Sequence, residues 1–167
     1  MRLASATLDS PVGRLLAVVW DGRLCELTFD ADASSTREQL LARFGTDLLP
    51  SHRDPGGICT RLRAYFRGEL EALDDVEVDL AGTPFQEKVW TELRRIRPGS
   101  TRSYADVAAA VGDPKALRAV GMAAARNPAV LVVPCHRVVA SDGSLHGFSG
   151  GIERKRWLLV HEGALLA

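Results

Sequence analysis

Three short stretches of this chain carry the side chains best suited to chemistry. The first is Pro134-Cys135-His136-Arg137, where a thiol is followed by an imidazole and a guanidinium. A free thiol with a pKa of about 8.5 is only a few per cent ionised at neutral pH, so a working cysteine needs a base or a positive environment. His136 is adjacent and Arg137 follows. Side chains of neighbouring residues on extended chain point to opposite faces, so His136 reaches Cys135 only if the chain turns there or a water intervenes. An isolated Cys-His pair also suits a purely structural role, and no second ligand pair stands at a zinc-site spacing.

The second stretch, His161-Glu162, falls in the last turn of a C-terminal helix, where the helix dipole disfavours a carboxylate. Glu162 either faces water or meets a cation; with His136 as partner it would form a Glu–His–thiol relay. The third is the Ala-rich helix around Arg118, residues 116–125, ALRAVGMAAA. A helix that reads bases in the major groove presents several Arg, Asn, Gln or Lys side chains, and this one offers only Arg118, which argues against sequence-specific readout. Its small side chains suit either a tightly packed core or close approach to a narrow minor groove, with Arg118 probing the stack. Gly147-Phe148-Ser149-Gly150-Gly151 can bring backbone N–H groups and an aromatic wall near a ligand. Tyr104 is either core or a phenolic donor.

These residues need a scaffold. Leu3 to Leu8, Leu15 to Trp20 and Leu24 to Phe29 read as antiparallel strands, the last two joined by the hairpin signal Asp21-Gly22. Helices are expected at about 35–44 and 58–67, and a short strand at Val76 to Leu80. A boundary falls near Ala81-Gly82. Thr83-Pro84-Phe85-Gln86 is a helix start, with Thr as N-cap, Pro at the first position and Gln three residues on. Ser103-x-x-Asp106 opens a second helix that reaches Val111. Asp113-Pro114 caps a third, which ends near Arg126, and the pair reads as helix-turn-helix. An apolar strand is expected at Ala129 to Val133 and a last helix at about Ile152 to Glu162.

Composition sets the outer bounds. The chain has 167 residues, 46% hydrophobic and 25% charged, with 21 basic and 21 acidic side chains, which fits a globular protein and excludes a disordered or collagen-like one. The zero net charge hides an asymmetry. Residues 1–82 hold nine Arg and no Lys against nine Asp and five Glu, a net of −5; residues 83–167 hold nine Arg and three Lys against three Asp and four Glu, a net of +5. The second half can therefore face a polyanion. No apolar run reaches the roughly 20 residues of a membrane helix and the start lacks the apolar stretch of a signal peptide, so a soluble, cytoplasmic protein is expected. Cys25, Cys59 and Cys135 form no CxxC pair and no even set, so reduced thiols are expected.

Taken together, the pieces closely resemble the O6-alkylguanine-DNA alkyltransferases, the self-inactivating methylated-DNA–protein-cysteine methyltransferase family. Pro134-Cys135-His136-Arg137-Val138, preceded by Asn127-Pro128, matches the family's active-site signature. The likeness runs from Phe85-Gln86 and Val89-Trp90 through Tyr104 and Arg118-Ala119-Val120-Gly121 to Ser149-Gly150-Gly151, Trp157-Leu158-Leu159 and His161-Glu162-Gly163. The first half matches more loosely. The resemblance implies an α+β protein, with an N-terminal RNase H-like α/β domain at 1–82 and a C-terminal winged-helix-like domain at 83–167.

It also implies roles. Cys135 would accept the alkyl group, His136 would deprotonate it through a bound water, and Glu162 would orient and charge-stabilise that histidine. Asn127 would brace the turn before the active-site strand, and Tyr104 would give the departing guanine a proton. The Ser149 N–H would bond O6, the Cys135 and Val138 carbonyls would take the exocyclic amine, and Phe148 and Gly150 would complete the base pocket. Phe148 stands where many members have Tyr, which keeps the aromatic wall without its hydroxyl. On DNA, Arg118 would fill the gap left by the flipped nucleotide, with Ala119, Ser103 and Arg126 beside it. The partner would be double-stranded DNA carrying O6-alkylguanine, and O4-methylthymine as a further candidate, held in the minor groove without sequence specificity. The protein would be a monomer with no cofactor, no metal and no membrane. Ionising the thiol fully gains only about 30-fold, roughly 2 kcal/mol, against the more than ~8 kcal/mol that enzymes supply, so positioning and leaving-group protonation must contribute more. The thioether product is no leaving group for water, so one molecule would act once. The alternatives are a lesion sensor of the alkyltransferase-like kind, in which a bulky residue usually replaces the nucleophile, and a cysteine hydrolase.

Overall fold

A computed structural model describes residues 3–29, 33–45, 51–145, 148 and 150–167. It is a mixed α/β protein that divides into two compact units, Met1–Ala81 and Gly82–Ala167.

In the first unit three strands form an antiparallel meander in the order β1 (Leu3–Ser10), β2 (Gly13–Trp20) and β3 (Arg23–Phe29). The turn between β2 and β3 takes Asp21 to φ 51° and Gly22 to φ 85°, the left-handed pair that an Asp-Gly turn supplies. The central strand β2 is buried from Leu15 to Val19, as a strand covered on both faces must be. Leu16 and Val18 pack with Cys25 of β3 and Leu40 of α1 (Ala33–Phe44), and Trp20 stacks on Phe44 with ring centroids 4.5 Å apart. The second helix, α2 (Ile58–Phe66), packs against β1 and buries Ile58, Cys59, Leu62 and Tyr65. The strand expected at Val76 to Leu80 is only a single parallel bridge, Leu24 to Val78, with its flanking backbone bonds. Arg43 of α1 holds Asp79 by both side chain and carbonyl, at 2.8 and 2.9 Å, so that side-chain anchor takes over from a longer ladder.

The second unit opens with α3 (Pro84–Leu93), α4 (Tyr104–Ala110) and α5 (Leu117–Ala125), which pack mutually. Both expected capping boxes form, Thr83 with Gln86 and Ser103 with Asp106. The Trp90 indole of α3 donates to the Ala123 carbonyl of α5 at 2.9 Å, and a Cβ on Gly82 would lie 2.5 Å from the Trp90 ring, so no side chain larger than hydrogen fits there. Gly112, at φ 87°, makes the tight turn after α4. Asp113 does not cap α5: the helix begins at Leu117 with Ala116 as N-cap, and the Asp113 carbonyl accepts from the Ala116 N–H at 3.0 Å. A two-residue parallel pair, β4 (Arg102–Ser103) with β5 (Val138–Val139), and α6 (Ile152–His161) complete the unit.

The apolar run Ala129 to Val133 is not a strand. It coils into a turn in which the Val133 N–H bonds the Ala129 carbonyl at 2.9 Å and the Val132 N–H bonds the Val130 carbonyl at 2.8 Å. Leu131 sits at φ 72°, a conformation costly for a branched side chain. Burial of the whole run keeps it in place, and burial is also why its composition looks like a core strand.

Candidate functional site: a buried thiol in a charged cluster

Cys135, His136 and Arg137 form one turn of 3-10 helix, closed by the Val138 N–H on the Cys135 carbonyl. The chain therefore turns where His136 and Cys135 require it. All three side chains are buried, as is Glu162.

Asn127 braces this turn. Its Oδ1 accepts from the Ala129 N–H at 2.9 Å, while its Nδ2 donates to the Val133 carbonyl at 2.7 Å and to the Cys135 sulfur at 3.1 Å. One amide thus ties both ends of the strained 129–133 turn to the thiol.

Glu162 follows directly on α6 and does not face water. Its Oε2 lies 2.8 Å from His136 Nε2, and the Arg137 guanidinium grips it with two parallel bonds, Nε to Oε1 at 2.8 Å and Nη2 to Oε2 at 2.9 Å. Arg137 Nη1 donates to the Ile96 carbonyl at 2.6 Å. Burial opposes ionisation of Glu162, but the His136 and Arg137 donors outweigh it and hold the carboxyl far below the usual carboxylate range. An ionised carboxylate only accepts, so His136 carries its proton on Nε2 and presents a bare Nδ1. Burial also lowers the pKa of His136, against the pull of Glu162, which keeps the ring neutral. Nδ1 finds no hydrogen-bond partner among the described residues. It is a base with an open lone pair.

Burial pushes the Cys135 thiol up; the Asn127 donor and then the Lys155 charge oppose it. Tyr104, at the start of α4 and half-buried, is pushed up by burial and next by the charge on Cys135, so it holds its proton. Val138 is buried, and its carbonyl accepts from Lys155 Nζ at 2.6 Å. Phe148 is buried and its carbonyl accepts from the Gly151 N–H at 3.0 Å; Gly150 is half-buried. Ser149 lies outside the described residues, as does Gly147. Ser103 caps α4. Arg118, Ala119 and Arg126 are exposed along α5 and its C-cap, while Val120, Ala123 and Ala124 form its buried face. The helix thus has one face in the core and the other exposed.

Sequence reasoning missed two participants. It took Arg137 for part of the thiol's positive surroundings, whereas its guanidinium is bonded to Glu162. It passed over Lys155 altogether, although Lys155 and Glu162 stand seven residues apart on the stripe that holds the fully buried Leu158 and Leu159, a spacing that puts them on one helix face.

Fold and geometry define a two-unit α/β protein whose second unit buries a thiol beside a neutral imidazole held by a carboxylate. The profile described as "6-O-methylguanine DNA methyltransferase, DNA binding domain" matches residues 84–164. A methylated-DNA–protein-cysteine methyltransferase of Salmonella typhimurium is 49% identical over 116 residues, 70% of this chain and 68% of that one. One from Mycobacterium tuberculosis is 43% identical over 164 residues, 93% of this chain and 90% of its own. The crystal structure of the Mycobacterium tuberculosis O6-methylguanine methyltransferase superposes with a TM-score of 0.82 at 38% identity, over 97% of this chain and 93% of that one. The chain belongs to the methylated-DNA–protein-cysteine methyltransferase family.

Proposed function

We propose that this protein repairs DNA by moving a methyl or other alkyl group from guanine O6 to its own Cys135, once per molecule. The observation that carries the reading is the joining of a buried thiol, through Asn127 and the Cys135–Arg137 turn, to a neutral His136 whose bare nitrogen is set by Glu162. The segment involved lies within the stretch that the family profile matches. A Mycobacterium tuberculosis relative, 41% identical with a TM-score of 0.80 over 96% of this chain and 92% of that one, has been crystallised in complex with DNA, and the basic second half of this chain suits the same partner.

Cys135 gives its proton, through a bridging water, to His136 Nδ1. The sulfur attacks the alkyl carbon; the S–C bond forms, the C–O6 bond breaks, and the electron pair leaves with the guanine, which Tyr104 protonates. Glu162 keeps the imidazole in the right tautomer and balances its charge while the proton is held. A thiol inside a protein cannot reach a base atom inside the stack, so the nucleotide must be flipped out. Arg118, exposed on the bare face of α5, fills the gap, with Ser103, Ala119 and Arg126 beside it on the minor groove. The Ser149 N–H, Phe148 and Gly150 would form the base pocket. The first unit is RNase H-like and the second winged-helix-like, and the protein works as a cytoplasmic monomer. Its hold on DNA is modest, indifferent to sequence and weakened by salt.

The discriminating protein is Cys135→Ala. It should bind O6-methylguanine duplex like the parent and transfer nothing. A lesion sensor without chemistry would instead leave the parent protein equally unable to transfer. Arg118→Ala should slow repair in duplex DNA far more than reaction with a free O6-alkylguanine base; equal losses on both would remove the gap-filling role.

A further inference from the structure

The connection from α3 to α4 is pressed against the Cys135 cluster along its length. The Ile96 carbonyl accepts from Arg137 Nη1 at 2.6 Å. Gly99, at φ 87°, lies so close that a Cβ there would stand 3.2 Å from the Glu162 carbonyl oxygen. Arg102 and Ser103, as β4, then pair with Val138 and Val139, which follow directly on the Cys135–Arg137 turn. The next residue is Tyr104, and Ser103 is the N-cap of its helix. One stretch of backbone therefore links the residues around the base, His136 with Arg137 and Glu162, to the acid Tyr104, and it does so through a strand of only two residues.

So short a ladder needs an anchor, and a carboxylate on α3 supplies one. Glu92 Oε2 accepts from Arg102 Nη1 at 3.3 Å, and its Oε1 accepts from Arg95 Nη1 at 2.6 Å. The Glu92 side chain is 14% exposed and that of Arg102 32%, so solvent screens this pair less than one on the open surface. Nothing in the mechanism above uses either residue. We propose that Glu92 and Arg102 are positioning residues of the transfer reaction: their ion pair ties β4 to α3 and so sets where the Tyr104 hydroxyl stands relative to the Cys135 sulfur. Proton delivery to a leaving group depends closely on the placing of the donor. Ionisation of the thiol by His136 does not involve Tyr104, and Asn127 and Arg137 hold the Cys135 turn by bonds of their own. Loosening β4 therefore slows the breaking of the C–O6 bond and leaves the nucleophile as it was. The inference rests on Tyr104 protonating the departing guanine.

Two alkyl donors and a second genetic background separate these effects. Free O6-methylguanine base reads the whole transfer with no DNA present, whereas iodoacetamide reads Cys135 alone, because iodide leaves without a proton. Glu92→Gln and Arg102→Gln should each slow transfer from the free base about three- to fivefold, the scale of a partly exposed ion pair, and leave iodoacetamide labelling of the Cys135 peptide unchanged. The double variant should be no slower than either single one, since both remove the same contact. Arg102→Lys keeps the charge and should recover most of the rate. In a Tyr104→Phe background Glu92→Gln should cost nothing further, because the donor it positions is gone. A loss of the same size with and without the Tyr104 hydroxyl, or with iodoacetamide as with guanine, would overturn the proposal and leave the pair a general structural role; so would an unchanged rate in Glu92→Gln. Tyr104→Phe as fast as the parent would instead remove Tyr104 as the acid, and the proposal with it. Should Arg102→Gln not fold, Glu92→Gln in the two backgrounds decides alone.

Discussion

Each unit holds a buried cysteine and a carboxyl that loses water on folding, and the two units treat them differently. In the first, Cys25 of β3 donates to the Val18 carbonyl at 3.3 Å within an apolar cluster, and burial, partly offset by the Arg43 charge, pushes it up to about 12. Neighbouring Glu26 is pushed by burial from an ordinary 4.5 to about 7, only partly offset by Arg43. In the second, Cys135 is as buried as Cys25, yet Asn127 and Lys155 oppose the burial, and Glu162 is driven down because a histidine and a bidentate arginine meet it. Burial raises a thiol or a carboxyl, and donors bonded to the group oppose that rise.

Ion pairing repeats the contrast. The first unit keeps Arg23–Glu77 and Arg67–Glu69 at the surface and buries no charged side chain among its described residues, whereas His136, Arg137, Lys155 and Glu162 are all buried in the second. The largest effect should therefore come from Glu162→Ala. It strands Arg137 in the interior and should lower stability by about 3–5 kcal/mol, read from urea unfolding; a loss under ~1 kcal/mol would mean the fork contributes little.

The two carboxyls should pull the pH dependence in opposite directions. Glu162, depressed in the fold, contributes stability that is present above its unfolded value and lost as pH falls. His136, kept neutral by burial, adds to that loss below about 6.5, where the unfolded ring takes a proton. Glu26 does the reverse: the folded state holds a proton that the unfolded chain releases above about 4.5, so its contribution is present at low pH and lost as pH rises toward 7. Glu26→Gln should raise the urea midpoint at pH 7.5 relative to the parent and leave it nearly unchanged at pH 4, while Glu162→Gln should lower it most near neutrality. The opposite ordering would contradict the assignment.

Smaller effects follow. Asn127→Ala frees the Val133 carbonyl and the Ala129 N–H beside the strained Leu131 and should cost about 1–3 kcal/mol, with slower iodoacetamide labelling of Cys135; unchanged labelling would confine Asn127 to a structural role. Arg67→Ala, at an exposed pair, should change stability by under ~0.5 kcal/mol.

Much of this was legible in the sequence where local chemistry decides structure. The Asp21-Gly22 turn and the two capping boxes each depend on residues within three positions of one another. The Ala129–Val133 run misled because an apolar stretch looks alike whether it is a core strand or a buried coil, and nothing local announces Leu131 at positive φ. Likewise the Glu162 partners are 25 and 26 residues away, a distance over which the sequence leaves solvent and cation equally open. Lys155 was readable in principle, as a lysine on the same face of α6 as Leu158, Leu159 and Glu162.

The central claim is that only the second unit turns its buried cysteine into an acceptor. Peptide mass mapping after mixing with a duplex containing one O6-methylguanine tests it most directly. The account predicts one added methyl group per protein, on the Cys135 peptide, with Cys25 and Cys59 unmodified. An unchanged mass, or methyl on either other cysteine, would contradict it.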